Sequence, residues 1–109
     1  MPHDRPTITT HVLDTAAGRP AAGIRVRCCR LEGIDVAVVG QGITDDDGRI
    51  RDLLEGHALA AGRYRLEFEL GPDRYFEAAT LDIRIDDAGR SHHVPLLLSP
   101  YGLTTYRGS

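Results

Sequence analysis

The feature that most constrains the fold of this chain is the alternation of apolar and charged side chains in RYRLEFEL, residues 63–70. Successive side chains on a β-strand point to opposite faces, so Tyr64, Leu66, Phe68 and Leu70 would share one face and the charged residues the other. One apolar and one charged face are typical of an antiparallel sheet that packs on a core and meets water. The segment is therefore predicted to be a half-buried strand.

Weaker alternations of the same kind predict further strands, separated by turn sequences rich in Gly, Pro and Asp. The predicted strands cover residues 7–14, 24–29, 36–44, 50–53, 63–70, 81–86, 92–98 and 103–106. Helix is expected at most as a turn or two near residues 73–79. Many short strands with evenly spaced turns indicate a sandwich or a barrel, and a sandwich suits this length better. The prediction is an all-β sandwich of about eight antiparallel strands with at most one short helix.

Length and charge limit the kinds of protein that this chain can be. The 109 residues make one domain, residues 1–109, with an expected disordered tail at residues 1–6. Such a domain can bury a core without metal or disulfide support. The net charge of −3 does not favour binding to nucleic acid or to an anionic membrane. The 13 basic residues are all arginine, which excludes a mechanism through a lysine Schiff base.

The two cysteines, Cys28 and Cys29, are neighbours in a predicted strand. Their side chains would point to opposite faces and adjacent cysteines rarely form a disulfide, so we expect two buried thiols in a reducing compartment. No further cysteine is present to complete a zinc site. The sequence has no apolar segment approaching the ~18 residues of a membrane span, and residues 1–10 lack the apolar core of a signal peptide. A cytoplasmic location is expected.

Five histidines are candidates for acid–base chemistry, because the unperturbed pKa of histidine lies near neutrality. His3 lies in the expected tail and His57 in a glycine-flanked loop, and neither is expected to be functional. His11 lies inside the strand predicted over residues 7–14, on the face opposite Ile8. A histidine in mid-strand is more often structural than catalytic, so the local sequence leaves its role open.

His92 and His93 precede Val94 and Pro95, and a residue before proline is held extended. The two imidazoles would then point to opposite faces, His92 toward the core and His93 away from it. Proline also indicates an edge strand or a bulge, because it has no backbone donor for a sheet ladder. The strand over residues 92–98 is therefore expected at an edge or a bulge of its sheet.

Arg49 follows the acidic turn DDDG at residues 45–48. Its plainest interpretation is a solvated arginine paired with Asp45 or Asp47, which would add little to stability. The turn is not a calcium loop of the EF-hand type, because no glutamate stands at the twelfth position and no helix flanks it. Composition and spacing alone are thus compatible with an enzyme, a binding module or a structural domain.

Three motifs, in the same order along nearly the whole chain, resemble those of the 5-hydroxyisourate hydrolases, the transthyretin-like enzymes of urate breakdown. They are THVLDT at residues 10–15 followed by GRPA at 18–21, TDDDGR at 44–49, and HVPLLLSPYGLTTYRGS at 93–109. The resemblance implies a transthyretin-like (prealbumin-like) sandwich and an active site built from two histidines, an arginine and the C-terminal serine. Carried over position by position, these are His11, His93, Arg49 and Ser109.

The resemblance also implies how the site is assembled. Tyr106, Arg107 and Gly108 would anchor the last residues and contribute with Arg49 to substrate binding, and Gly108 would permit a close backbone approach. The family sites lie in clefts where two dimers of a tetramer meet, so a homotetramer is expected. No metal and no organic cofactor is implied, and the expected partner is the small-molecule substrate.

The family reaction opens the six-membered ring of 5-hydroxyisourate by hydrolysis of an amide-like bond, giving 2-oxo-4-hydroxy-4-carboxy-5-ureidoimidazoline. Such a reaction needs a nucleophile, a proton carrier and a group that stabilises the developing oxyanion. His93 or His11 would deprotonate a water or the Ser109 hydroxyl. The Arg49 guanidinium would bind the urate-like carbonyls and stabilise the oxyanion. Whether Ser109 attacks or orients water stays open.

Two departures from the family pattern keep alternatives open. The family carries a longer segment after the strand at residues 63–70, whereas here Tyr75-Phe76 leads through EAAT directly into Leu81. Leu103 also stands where the family commonly has tyrosine, and His92 replaces a common aromatic residue. The alternatives are a hydrolase of another cyclic amide or ureide and a non-catalytic, ligand-binding module of the transthyretin kind.

Overall fold

The computed structural model describes residues 5–109, and within them the chain forms nine strands and no helix. The strands are β1 Ile8–Asp14, β2 Arg19–Pro20, β3 Arg25–Glu32, β4 Asp35–Ile43, β5 Arg49–Ile50, β6 Gly62–Glu69, β7 Ala78–Ile85, β8 His92–Ser99 and β9 Gly102–Thr105. A five-stranded sheet has the order β2-β1-β8-β9, with β5 also paired to β1, and a four-stranded sheet has the order β4-β3-β6-β7. The predicted all-β sandwich is confirmed.

The core is built from side chains on the inner faces of the two sheets. Tyr64, Leu66 and Phe68 of β6 are buried, and so is Leu70 just beyond the strand, as the alternation predicted. A fully buried side chain of this size contributes roughly 1.5–3 kcal/mol to folding. The other buried apolar residues of this core are Ile8, Val12, Ala21, Ile24, Val26, Cys28, Ile50, Leu53, Leu54, Ile85, Val94, Leu96 and Leu98.

The pairing of β1 with β8 differs from the expected arrangement, because it is parallel. It runs from Ile8 opposite His92 to Asp14 opposite Leu98, while all the other strand pairs are antiparallel. An alternating pattern shows which face of a strand is buried but carries no information on the direction of its neighbour. The expectation of a wholly antiparallel sandwich was therefore wrong for this one pair.

Strand β8 does not lie at an edge of its sheet, contrary to the expectation from Pro95, because β1 and β9 flank it. The ladder between β8 and β9 begins only at Leu96, opposite Thr105. Pro95 thus lies just beyond the end of that ladder, and its carbonyl accepts a hydrogen bond of 2.9 Å from the Thr105 hydroxyl. The missing backbone donor of proline is tolerated because β9 has already ended at this level.

The segment that the sequence allowed as a short helix, residues 73–79, is a loop of turns and bends that leads into β7 at Ala78. The N–H of Leu70 donates to the carbonyl of Glu77 at 2.8 Å, which continues the pairing of β6 and β7 toward the loop. Backbone groups that a helix would use are therefore engaged between strands. No helix forms here, which agrees with the expectation of at most one short helix.

Cys28 and Cys29 are both buried and both carry free thiols. Cys28 pairs with Leu66 on the core face and Cys29 with Arg65 on the outer face, so the two side chains point apart as predicted. A bulge in the pairing with β4 falls between them. Burial raises the pKa of the Cys28 thiol to about 12, which keeps this thiol protonated and unreactive near neutral pH.

Residues 1–4, which include His3 and most of the expected disordered tail, lie outside the described residues. Arg5 donates hydrogen bonds to the Gly56 carbonyl at 2.6 Å and to the Asp52 carboxylate at 3.0 Å. In the described part of the chain no helix is long and apolar enough to cross a membrane.

Candidate active site

The pairing of three strands brings the predicted site residues together on one face of the five-stranded sheet. His11 of β1 lies opposite Arg49 of β5, and Thr9 of β1 lies opposite His93 of β8. The alternate position on β1, Thr10, is buried on the core side. Because side chains alternate along a strand, Thr9, His11, Arg49 and His93 share the outer face. The predicted faces of His11 and His93 agree with this arrangement.

The acidic turn before Arg49 shapes the backbone rather than neutralising the guanidinium. One carboxylate oxygen of Asp45 accepts hydrogen bonds from the backbone N–H groups of Asp47 at 2.9 Å and Arg49 at 3.0 Å. These bonds, the one from Arg49 first, hold the pKa of Asp45 below its ordinary value. Gly48 supplies a φ of 76° and packs directly on the backbone of β1, which favours glycine at this position.

Arg49 does not form the ion pair that its sequence neighbours suggested. Among the ion pairs of residues 5–109, none joins the Arg49 guanidinium to Asp45 or Asp47. Its cross-strand neighbour is an imidazole, His11, and not a carboxylate. Among the described residues, the Arg49 guanidinium thus has no carboxylate partner.

His93 is half-buried and held on one side by a threonine. Its Nδ1 lies 2.8 Å from the Thr9 hydroxyl oxygen. Burial lowers the pKa of His93, and the nearby Arg49 guanidinium and His11 ring lower it further. Since an ordinary histidine titrates near 6.5, the His93 imidazole is neutral at pH 7 and has a lone pair that can accept a proton.

The last residues lie against the same histidine. The N–H of Gly108 donates to the His93 carbonyl at 2.7 Å, on the stretch of β8 that β9 leaves unpaired. A Cβ atom at Gly108 would come within 2.6 Å of the His93 Cδ2 atom, so only glycine allows this approach. Ser109 follows with a φ of 141°, a backbone region that side-chain-bearing residues seldom adopt.

A cavity of about 180 Å³ opens on this face, and its lining combines two of the predicted residues with others that the motifs did not single out. It is lined by Thr9, Thr10, Arg49, Ile50, Arg51 and His93. His11 and Ser109 are not among its lining residues. Tyr106 and Arg107 line a different groove, of about 380 Å³, between the middle of β7 and the end of β9. A single chain therefore gathers Arg49 and His93 in one cavity but does not bring Tyr106 and Arg107 to it.

Thr9 and Arg51 are the additions that sequence reasoning missed. The alternation in β1 places Thr9 on the same face as His11, but only the register with β8 sets it opposite His93. Arg51 stands two positions after Arg49 and lines the same cavity as an exposed second guanidinium. For both residues the available signal was the spacing of two positions from a predicted site residue, Thr9 from His11 and Arg51 from Arg49.

The other histidines have structural partners. His92 is buried, as predicted, and its Nε2 lies 2.8 Å from the Asp87 carbonyl. Nδ1 of His57 lies 2.8 Å from the Leu54 carbonyl, within one loop. Within residues 5–109 no group of three or more His, Cys, Asp or Glu side chains is arranged to hold a metal ion.

A larger cavity, of about 540 Å³, contains none of the predicted site residues. Its lining includes Asp14, Arg74, Tyr75 and Tyr101. Arg74 and Asp14 form an ion pair at 3.2 Å, so the charges in it are already matched. The smaller cavity instead contains an imidazole and a guanidinium that have no ion-pair partner among the described residues.

The two stacked sheets form a transthyretin-like sandwich. The outer face of its five-stranded sheet carries a polar site with a histidine, an arginine and the last residues of the chain. The chain belongs to the HIUase/Transthyretin family, whose sequence model matches residues 8–108.

Relatives and solved structures agree with this assignment. 5-Hydroxyisourate hydrolase 2 of Rhizobium meliloti is 46% identical, over 94% of this chain and 95% of that protein. The structure of the 5-hydroxyisourate hydrolase of Klebsiella pneumoniae matches with a TM-score of 0.79 and 36% identity, covering 94% of this chain and 99% of the other. Transthyretin from Sparus aurata matches with a TM-score of 0.83 at 26% identity, covering 94% and 97%.

Proposed function

We propose that this protein hydrolyses 5-hydroxyisourate to 2-oxo-4-hydroxy-4-carboxy-5-ureidoimidazoline. The observation that carries the proposal is the pairing, in one cavity, of a neutral imidazole at His93 with an arginine at Arg49 that has no carboxylate partner among the described residues. Relatives and a solved structure that bear the name 5-hydroxyisourate hydrolase cover almost the whole chain, which supports the same reaction.

His93 is proposed to act as the general base. Its lowered pKa leaves a lone pair available at neutral pH, and this lone pair takes the proton of the attacking water. The same proton then passes to the nitrogen that leaves when the ring opens. General-base and general-acid assistance of this kind contributes about 10²–10⁴-fold in rate. His11 of β1 lies opposite Arg49 of β5 and is the second imidazole that can share this proton.

Arg49 is proposed to bind the carbonyl oxygens of the substrate and to stabilise the oxyanion that forms on attack. A guanidinium presents several N–H donors in a fixed plane, which suits a carbonyl that becomes negatively charged. Ser109, carried past His93 by Gly108, is proposed to attack the ring or to hold the attacking water. Hydrolysis by these groups requires no metal and no organic cofactor.

A homotetramer with sites at the dimer–dimer interface is part of the proposal. The cavity of about 180 Å³ is open on the outer face of the sheet, where a second copy would close it. The edge strands β7 and β9 border an apolar groove, and edge strands with free backbone groups are common places of association. Light scattering tests this point, since a monomer with full activity would rule the tetramer out.

We also propose a cytoplasmic location and a role in purine degradation. The two free thiols fit a reducing compartment, because such thiols persist where disulfides are not formed. Localisation of the tagged protein, with the tag placed before residue 1, tests the first point. Accumulation of 5-hydroxyisourate breakdown products in a strain without the gene tests the second.

The proposed reaction is tested with a coupled assay. Urate oxidase generates 5-hydroxyisourate in place, and its ultraviolet decay is followed with the intact chain, with a Ser109-deleted chain and with buffer. Fast decay with the intact chain, lost on deletion, is the expected result. Decay no faster than in buffer, from folded protein, would refute the proposal and favour another cyclic amide or ureide. In that case the short loop between β6 and β7 is the first place to examine.

A transthyretin-like binding function is the remaining alternative, because the fold alone does not separate the two. The match to transthyretin is as good in shape as the match to the hydrolase, although lower in identity. Binding of a ligand without turnover, in a chain that fails the coupled assay, would favour it.

A further inference from the structure

Thr9 contacts His93, which the sequence motifs did not predict. Its hydroxyl oxygen lies 2.8 Å from Nδ1 of His93, and both side chains are partly buried. The rings of His57 and His92 instead contact backbone carbonyls. Among the hydrogen bonds of residues 5–109, that of His93 is the one that joins a histidine ring to another side chain.

The His93 ring is confined on two sides. Thr9 stands opposite His93 in the parallel ladder between β1 and β8, so the backbone sets the distance between them. Threonine is β-branched and stiff at χ1, which keeps its hydroxyl in place. On the other side, the Cδ2 atom of the ring lies against Gly108. Nε2 is thus the ring nitrogen without a hydrogen-bond partner among the described residues.

A hydroxyl can donate to Nδ1 or accept from it, so the chemistry of the ring decides the direction. If Nδ1 carries the proton, it donates to Thr9 both before and after Nε2 takes up a second proton. The bond also strengthens when the ring becomes charged. If the hydroxyl donates instead, protonation at Nδ1 would require that bond to break. The first arrangement is the one that serves proton uptake without rearrangement.

We propose that Thr9 is a positioning residue that holds His93 in the tautomer with its proton on Nδ1, so that Nε2 is the nitrogen that accepts a proton from the attacking water. Its catalytic consequence rests on the proposed hydrolase function, whereas the tautomer itself does not. Because Thr9 also lines the cavity, its role has to be separated from direct contact with the substrate.

The test uses three variants of the full chain. Thr9→Val removes the hydroxyl at nearly constant shape, and Thr9→Ser keeps it. Thr15→Val makes the same change at an exposed position just after β1, where the hydroxyl donates to the Leu98 carbonyl at 2.8 Å, and is the matched control. Nitrogen-15 chemical shifts of the His93 ring report the tautomer without substrate, and the coupled assay gives kcat, KM and the pH profile.

The intact chain and Thr15→Val are expected to show the proton of neutral His93 on Nδ1. In Thr9→Val the ring is expected to populate both tautomers, with kcat lowered about 10–100-fold, the usual loss when an outer partner that fixes a histidine is removed. KM is expected to change by less than about twofold, because the lost contact acts through His93. Thr9→Ser is expected to restore most of kcat and the tautomer.

Several outcomes would overturn the inference. One is a proton on Nε2 in the intact chain, which decides the matter even if Thr9→Val does not fold. Another is an unchanged tautomer with an unchanged kcat in Thr9→Val. A third is a Thr9→Val variant in which KM rises while kcat stays the same. If the tautomer shifts as expected but no chain hydrolyses 5-hydroxyisourate, the positioning role stands and the proposed function fails. If hydrolysis is fast and insensitive to Thr9→Val, the function stands and the inference fails.

Discussion

Arginines on the outer faces of the two sheets differ in their cross-strand partners. On the four-stranded sheet, Arg65 of β6 lies opposite Asp82 of β7 and donates to both carboxylate oxygens, at 2.7 and 3.0 Å. The hydrogen bonds from Arg65 are the main reason that the pKa of Asp82 is lowered. On the five-stranded sheet, Arg49 lies opposite His11, which offers no fixed negative charge.

The difference shows how the same residue type serves two purposes. An exposed arginine beside a carboxylate forms a pair worth at most about 1 kcal/mol, and its donors are occupied. Arg49, beside two imidazoles, has no carboxylate partner among the described residues, and its charge lowers the pKa of His93. The cross-strand partner, and not the arginine, distinguishes a charged surface from a reactive one.

The largest effect is expected from the matched pair Arg49→Gln and Arg65→Gln. Arg49→Gln should lower kcat/KM for 5-hydroxyisourate about 10²–10³-fold, the usual cost of losing one oxyanion donor. Arg65→Gln should leave the activity within about twofold and change the free energy of unfolding little, because solvent screens an exposed pair. Both variants are measured in the coupled assay and by urea denaturation. Equal losses of activity would break the contrast between the two faces.

A smaller loss is expected from Gly108→Ala. The added Cβ would meet the His93 ring at 2.6 Å and displace the ring or the last residues. Misplacement of a catalytic group by about 1 Å can cost 10²-fold in rate, so we expect a loss of about 10–100-fold in kcat with unchanged far-ultraviolet circular dichroism.

Gly89→Ala is the control for that substitution. This glycine lies in the loop before β8, and its added Cβ would meet only an Asp87 carboxylate oxygen at 3.1 Å. Its activity should match that of the unaltered chain. An active Gly108→Ala variant would show that the contact between the last residues and His93 has no part in the reaction.

The pH dependence is expected to be the smallest effect. Burial, with the charges of Arg49 and His11, lowers the pKa of His93, so the acid limb of the kcat/KM profile should lie below pH 6.5. Removing one of those charges with Arg49→Gln should move the limb upward. A limb above pH 6.5 in the intact protein would contradict the assignment of His93 as the base.

The same lowered pKa has a consequence for stability. The unfolded chain binds a proton at this histidine near pH 6.5, whereas the folded chain does so only at lower pH. The contribution of His93 is therefore fully present above pH 6.5 and is lost as the pH falls through the folded-state value. Urea denaturation across this range should show the decline, and His93→Asn should reduce it.

Much of the fold was accessible from alternation along the strands. The faces of Tyr64, His11 and His93 followed from parity, and the motif that ends at Arg49 located the turn that carries it. Alternation could not show that β8 runs parallel to β1, because it records burial and not direction. At residues 73–79, where the sequence allowed at most a turn or two of helix, none forms, and the bond between Leu70 and Glu77 continues the strand pair toward the loop.

The candidate site was less accessible than the fold. The local sequence alone favoured an Arg49 paired with Asp45 or Asp47, and only the family resemblance made Arg49 a site residue, whereas the turn uses the Asp45 carboxylate on backbone N–H groups. The contact of Thr9 with His93 depends on a pairing between residues 84 positions apart. No local pattern specifies such a register, so the residue that holds the ring could be found only from the structure.

The parallel pairing of β1 with β8 also has a consequence for how the protein acquires activity. Ordering contacts between residues so distant in sequence costs loop-closure entropy, and such contacts tend to slow folding. A nascent chain can complete β3, β4 and β6 while β8 has not yet been made. Thr9 and His93 can meet only after β8 has been made and has docked, so the candidate site is completed late, from segments near both ends of the chain.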